Sequence, residues 1–318
     1  MIGAVDIGGT KIAVGVVDEG GQVLARQDSP TGAGKGLADG LSRITNMLHQ
    51  VSDQRASRAG EVLQGIGIGC TGPVNPQLGT IGNVEFLPGW EGADLVGDLG
   101  RAFGVSVAIE NDADAAALGE WAWGAGRDTA VFILVTIGTG IGAGVVLDGR
   151  IYRGVDGSHP EIGHHVIDPS GPACFCGAHG CWEVMASGPS MERWAQANHP
   201  QGIFFTAREL CAAAEQGEPQ AMRAVKRTSH YLAIGLANLV TLFSPEVIAL
   251  GGGLMQSFPL FRDEIMETIR TNCGLVPYQK VRVVPAALGV DSGLVGAARV
   301  WYSRYGSAGG GIKARLTL

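Results

Sequence analysis

Charge is scarce in this sequence. Only 17% of its 318 residues are Asp, Glu, Lys or Arg, against about a quarter in an average globular protein, so much of the chain must be buried. What charge there is leans acidic, with a net value of −7 and a pI near 5.5, which disfavours nucleic acid or an anionic membrane as partner. The opening "MIGAVDIGGTK" lacks a basic segment leading into a cleavable apolar stretch, so the expected location is cytoplasmic. No Walker A sequence occurs, which excludes a P-loop. No redox CxxC occurs either, since Cys174 and Cys176 are only two apart. The apolar run "TAVFILVTIGTGIGAGVVL" (129–147) approaches the length of a membrane span, but its Gly/Thr-rich middle breaks it, and two buried strands are expected instead. Three of the six cysteines, Cys70, Cys211 and Cys273, stand alone in apolar surroundings and read as small buried hydrophobes.

Glycine is abundant, at 51 residues, more than twice the usual ~7%. No G-X-Y period organises it, so tight turns and backbone-lined ligand loops are the natural use. "IGAVDIGG", "TKIAVGVVDEG" and "GQVLARQDSP" read as three strands. A helix over 35–52 carries Leu37, Leu41, Ile44 and Leu48 at spacings of three and four. "LQGIGIGCTGPV" is a buried strand entering a Gly-Pro loop, and "SVAIENDADAAALGEWAWG" a strand passing into an Ala-rich helix. The stretches 6–18 and 136–148 superpose at a constant offset of 130 without a gap: Ile7 matches Ile137, Gly8 matches Gly138, and Asp18 matches Asp148. Each copy is followed by a further strand, which implies two related α/β halves. Helical patterns follow at 187–198, 206–216 and 219–243, then the strands "PEVIALGGGLM" and "VRVVPAAL" and a closing helix "SGLVGAARVWYSRY". The expected organisation is a smaller domain over 1–115, a larger one over 116–291, a closing helix 292–306 packing back on the first, and a mobile tail over 307–318.

Two groups of residues point to chemistry. Gly-rich turns between strands can present several backbone N–H groups to phosphate oxygens. "DIGGTK", "TIGTGIGAG" and "LGGG" are three such strand ends, and together they suggest a nucleotide held between the halves, although a plain hairpin would explain any one alone. Thr10 and Thr139 could donate to phosphates, and Asp6 could hold magnesium through water. Asp112, where strand gives way to helix, could accept a hydroxyl proton in phosphoryl transfer, and Asn111 could bond a sugar hydroxyl. The competing reading is that Asp112 or Asp114 merely caps the helix. A third cluster, "GHHVIDPSGPACFCGAHGCWE" (163–183), crowds three histidines and three cysteines into a metal site or a tight turn.

"DIGGTK", "GIGCTGPV", "ENDADAAALGE", "TIGTGIGAGVVLDG", "EIGHH", "CFCGAHGCWE", "ASG" and "LGGG", in this order from Asp6 to about Ala298, resemble the bacterial ROK family (repressor, open reading frame, kinase) of sugar kinases and sugar-responsive repressors. The resemblance implies an α/β, actin-like and ribonuclease H-like duplicated fold, its two domains flanking a cleft, with a structural zinc loop over 161–183. It implies ATP and magnesium at Asp6, Gly8, Gly9, Thr10, Lys11, Gly138, Thr139, Gly140, Gly142, Gly251 and Gly252. A hexose would meet Gly72, Asn111, Asp112, Glu161, His164 and Glu183, with Asp112 as the base for the 6-hydroxyl. At an ordinary carboxylate pKa near ~4 that base would serve more by orienting the hydroxyl than by basicity. His164, Cys174, Cys176 and Cys181 form a closed donor set for structural Zn2+, with His165 to spare. With the first Gly turn starting at residue 6, no winged helix precedes the halves, so a kinase is expected and a repressor or non-catalytic sensor is the lesser reading. "EIGH" resembles the glucokinase-type arrangement. "SHPEIGHH" departs from the common small-residue lead-in and its "HPE" resembles fructokinase-like members, and "NVEFLPGW" is longer than usual. Glucose is the expected substrate, with an N-acetylhexosamine or fructose as alternatives. A homodimer or homotetramer is implied by the family alone.

Overall fold

The computed structural model describes residues 1–82, 87–198 and 206–306. The tail over 307–318 and positions 83–86 of "NVEFLPGW" lie outside the described residues. The elements in chain order are β1 (Ile2–Ile7), β2 (Lys11–Val17), β3 (Val23–Pro30), α1 (Leu37–Ala59), β4 (Gly65–Cys70), the short β5 (Val74–Asn75) and β6 (Thr80–Ile81), α2 (Leu95–Phe103), β7 (Ser106–Asn111), α3 (Asp112–Trp123), β8 (Val131–Ile137), β9 (Ile141–Leu147), β10 (Arg150–Ile151), α4 (Trp182–Ala186), α5 (Gly188–Ala197), α6 (Ala207–Glu215), α7 (Pro219–Phe243), β11 (Val247–Gly251), α8 (Pro259–Asn272), β12 (Arg282–Pro285) and α9 (Ser292–Tyr305). One compact unit is formed by Met1–Ala130, Gly144–His159 and the segment from Ala287, the other by Val131–Ala143 and Pro160–Ala286. The first unit thus includes 116–130 and 144–159, which a boundary after 115 would give to the second.

The offset of 130 runs through the strands. β1 and β2 map onto β8 and β9. The first sheet has the order β3-β2-β1-β4-β7 and the second β10-β9-β8-β11-β12. Antiparallel pairing on one side of the leading strand and parallel pairing on the other recur, with β1–β4–β7 answered by β8–β11–β12. The apolar run 129–147 is accordingly a strand, a Gly-rich turn and a strand, and no helix among the described residues is long and apolar enough to cross a membrane. The copies differ in their third strand. β3 has eight residues and β10 only two, because the chain leaves the second sheet at once to turn Arg153 into a buried acidic cluster.

In the first unit the period of two along β1 sorts its side chains between two cores. Val5 and Ile7 join Val14, Ile66, Ile68 and the α1 residues Ile44 and Leu48. Ile2 and Ala4 face Leu294, Ala297, Ala298 and Trp301 of α9. Asp6 shares the parity of Ile2 and Ala4, so it lies at the α9 face. β4 reads "GIGIGC" for the same reason: Ile66, Ile68 and Cys70 fill the first core, while the alternate glycines leave room opposite. A Cβ on Gly67 would strike the carbonyl of Ala297, so α9 rests directly on the strand backbone.

Two helices, α2 and α8, escape the periodicity reading but carry end signals. Asp94 caps α2 by accepting the Gly97 N–H at 2.8 Å, and Gly104 closes it at φ +65°. Pro259 opens α8, where its missing N–H has no helical partner to lose. α1 runs beyond 52 to Ala59, an extension with no apolar period to mark it, since residues 53–57 are exposed or half-buried. In the second unit α7 packs against α4, α5, α6 and α8. Trp182 is fully buried against Gly235 of α7 and donates to the Tyr231 carbonyl at 3.0 Å.

The β4 glycines make a testable demand. Gly67→Val should lower the unfolding free energy by about 3 kcal/mol, the upper range for overpacking, because the obstruction is backbone. Gly274→Ala, which meets nothing within 4 Å, should stay within about 0.5 kcal/mol. Urea unfolding of both variants checks this.

Candidate functional site

The β7–α3 junction decides between the two readings of Asp112. Asn111 is the N-cap. Its side-chain oxygen accepts the N–H groups of Ala113 at 3.0 Å and Asp114 at 3.3 Å, and its amide nitrogen donates to the Gly72 carbonyl at 3.3 Å. Asn111 thereby satisfies the orphan donors of the first turn, and neither aspartate is needed for the cap. Asp112 accepts the adjacent Ala113 N–H at 2.9 Å. Its pKa is raised chiefly by burial, against the Ala113 N–H and His159, which lower it. A carboxylate held above its ordinary range is a better proton acceptor than one with an ordinary pKa near ~4.

Asp114 points the other way. It is completely buried, and its Oδ2 is shared by Arg153 and by His159 Nδ1, the latter at 2.8 Å. Arg153 also pairs with Glu110 at the end of β7. Glu110 is raised by burial in spite of this arginine. A buried carboxylate without such partners would be several kcal/mol unfavourable, so Arg153 and His159 are what allow "ENDAD" to carry three acids in five positions. The acidic spacing was visible in the sequence, but which cation answers it was not.

The first Gly turn stands next to this junction. Gly8 N–H donates to the Lys11 carbonyl at 2.9 Å. Thr31, fully buried, clamps the turn, giving its N–H to the Thr10 carbonyl at 2.9 Å and its hydroxyl to the Gly8 carbonyl at 2.6 Å. The turn's carbonyls are thus spent inward, and Thr10 and Lys11 are exposed. Asp6 lies against Gly293 in the first turn of α9. Burial, and next the negative Asp112, push its carboxyl up to about 7, against the pull of Lys11 and Arg26. Two neighbouring carboxyls resisting ionisation in buried surroundings fit a hard divalent cation such as magnesium, directly or through water.

In the second unit the remaining glycine ends meet. Gly252, at φ +87°, leaves no space for a Cβ against the backbone of Ile137, and Gly188 N–H donates to the Gly138 carbonyl at 2.9 Å. Glu183 lies against Gly140 of the same turn and accepts the Ile141 N–H at 2.9 Å. Thr139 is exposed and Gly142 half-buried, its carbonyl accepting the Thr136 hydroxyl at 3.3 Å; Gly251 ends β11. Glu161 is exposed just before the short helical turn Ile162–His164.

That turn delivers His164 to the cysteines. One donor atom from each of His164, Cys174, Cys176 and Cys181 lies within 4.8 Å of all the others. The His164 Nδ1–Cys174 Sγ distance is 3.4 Å and the Cys176–Cys181 Sγ distance 3.5 Å. A tetrahedral zinc with S and N ligands at about 2.0–2.3 Å has ligand–ligand edges of about 3.3–3.8 Å, so the cluster fits such an ion. Burial and the neighbouring thiols push Cys181 up to about 12, a penalty a central cation would reverse. His165 is occupied elsewhere: Nδ1 donates to the Ile162 carbonyl at 2.6 Å and Nε2 accepts from Asn238 at 3.3 Å. Cys181 is also the N-cap of α4, which puts Glu183 in that helix's first turn.

Known proteins resemble the chain over almost all of its length. The ROK family model matches residues 2–304. A glucokinase of Thermotoga maritima is 33% identical, across 95% of this chain and 97% of that protein. The crystal structure of a ROK hexokinase from Thermus thermophilus superposes with a TM-score of 0.81 at 36% identity, covering 95% of this chain and 98% of that one. A ROK family glucokinase from Streptomyces griseus, solved in complex with glucose and AMPPNP, gives a TM-score of 0.78 at 32% identity, covering 93% and 97%.

The raised Asp6 carboxyl predicts a stability effect with a definite sign. Its folded pKa of about 7 exceeds the ordinary 3.8, so folding is progressively disfavoured as pH rises from about 4 to 7. Asp6→Asn removes that loss. The magnesium-free variant should melt a few degrees above the parent at pH 8 and gain little at pH 4.5. Equal gains at both values would contradict the burial argument.

Proposed function

The chain belongs to the ROK family, and from that premise we propose that it is an ATP-dependent sugar kinase that phosphorylates glucose at the 6-hydroxyl. The observation that carries this reading is the division of labour at the head of α3: Asn111 takes the cap, and among the described residues no side chain donates a hydrogen bond to the buried Asp112. Asp112 is the base. As the 6-oxygen bonds to the γ-phosphorus and the bond to the ADP leaving oxygen breaks, Asp112 takes the hydroxyl proton. The raised pKa caused by burial brings the acceptor nearer the working pH, where general-base catalysis is most effective.

The sugar contacts are Gly72, Asn111, Asp112, Glu161, His164 and Glu183. His164 serves twice, because Nδ1 is the atom in the cysteine cluster and Nε2 is left for a hydroxyl. Phosphates are received by the Gly8–Lys11 turn and by the glycines at 138–142 and 251–252. Asp6 would hold magnesium, which when bound neutralises charge on the transferring phosphoryl group. His164, Cys174, Cys176 and Cys181 would hold zinc, whose four protein ligands leave no open position and make it structural. Its part is to fix the loop between Glu161 and Glu183. The relatives named glucokinases support glucose over the other hexoses.

Asp112→Asn should leave glucose affinity within a few-fold and lower kcat by at least about 100-fold, the lower range for losing a general base; kcat within tenfold of the parent would remove Asp112 from that role. Cys176 is exposed, so Cys176→Ser disturbs no core. It should abolish bound zinc in elemental analysis of the purified protein and raise the KM for glucose more than it lowers kcat. ADP release across glucose, N-acetylglucosamine, N-acetylmannosamine, mannose and fructose should be fastest with glucose.

A further inference from the structure

The second unit contains a cavity of about 450 Å³ whose lining includes Pro172, Val184, Ser190, Arg193, Trp194 and Arg227. None of these residues has a part in the reaction above. Arg227 is half-buried on α7, its Nη1 donating to the Met185 carbonyl at 2.8 Å and its guanidinium lying 4.9 Å from the centre of the Tyr231 ring. Arg193 on α5 is exposed. Among the described residues neither arginine makes an ion pair. The acid nearest in the bonding pattern, Asp168, is engaged by the Tyr231 hydroxyl at 3.2 Å and the Ser170 N–H at 3.0 Å. Burial, and to a smaller degree the positive Arg193, lower the pKa of Arg227 against the effect of Tyr231. In a chain with a net charge of −7, two like charges therefore share a concavity and, among the described residues, make no ion pair there.

We propose that this cavity is a binding site for a small phosphate monoester, with Arg193 and Arg227 as its anion receptors. Arginine presents a planar fork of donors that matches phosphate oxygens in pairs, and Trp194 lines the same wall with an apolar face suited to the carbon skeleton of a sugar-sized ester. The volume lies within the range of small-molecule sites, about 300–1,000 Å³. An anion here also reaches the sugar loop. Pro172 lies two residues before Cys174, Val184 directly follows Glu183, and Arg227 already grips the Met185 carbonyl in the same short helix. Occupancy of the cavity shifts glucose affinity through α4. This coupling rests on the kinase reading, whereas the site itself does not.

The test is calorimetric titration of glucose 6-phosphate, and separately of inorganic phosphate, into protein saturated with glucose and AMPPNP, so that the reaction's own site is filled. One further molecule of glucose 6-phosphate should bind per chain, and Arg193→Ala, an exposed position that leaves the fold alone, should weaken it at least tenfold. Arg227→Gln should do the same. Inorganic phosphate binding as tightly as the ester would assign the site to free phosphate; much weaker binding assigns it to the ester. No extra binding, or binding indifferent to Arg193→Ala, overturns the site. Glucose KM that fails to respond to occupancy in an active parent overturns the coupling alone. An inactive protein that still binds the ester through Arg193 would count against the kinase reading and leave the site standing.

Discussion

The cap that Asn111 places on α3 governs what every acid around it can do. A helix start leaves N–H groups unsatisfied, and the short residues suited to satisfy them here are Asn111, Asp112 and Asp114. Because the asparagine takes both bonds, the aspartates are released in opposite directions. Asp114 turns inward to Arg153 and His159, and Asp112 accepts the Ala113 N–H. An aspartate in the cap position would place its charge on the helix amides and lose its freedom to take a proton. A neutral cap with a charged neighbour keeps the two tasks apart.

The buried ions beneath the helix make that arrangement rigid. Glu110, Arg153, Asp114 and His159 come from the end of β7, the first turn of α3 and the chain after β10. A buried charge group of this kind adds little to stability relative to a packed apolar core, but removing one partner is severe. Its value lies in holding the strand end and the helix start in one relation. The alternate glycines of β4 act on the same point, since they let α9 settle on the strand backbone and bring its first turn to Asp6. Asp6 and Asp112 therefore become neighbours by backbone approach, and their raised pKa values follow from burial.

The cysteine cluster solves a comparable problem in an irregular loop. From Ile162 to Cys181 the chain has only short turns and isolated bridges, and few apolar residues to fix it. Four donor atoms gathered within 4.8 Å would, around an ion, supply a fixed point where a core cannot. Cys181 passes that point on to α4 as its N-cap, and Trp182 anchors the helix on α7. Glu183 is thus set between a donor cluster and a buried indole.

Patterns of short period were legible along the chain. The offset of 130, the alternation of "GIGIGC" and the crowding of cysteines each reflect one strand, turn or loop, so the amino acids by themselves determined the duplicated sheets and the strand-turn-strand nature of 129–147, while the choice of His164 over His165 came from the family resemblance. α2 and α8 were missed because their signals are end caps and not a long apolar period. The partners of the acids in "ENDAD" were out of reach for another reason: Arg153 and His159 stand 39 and 45 positions from Asp114, and nothing local selects them. Which residue caps α3, which cations answer its acids, in which direction burial moves Asp6 and Asp112, and where two arginines make no ion pair among the described residues were decided only by tertiary structure. Solvation and charge pairing depend on what the fold brings near, and sequence order does not record distance.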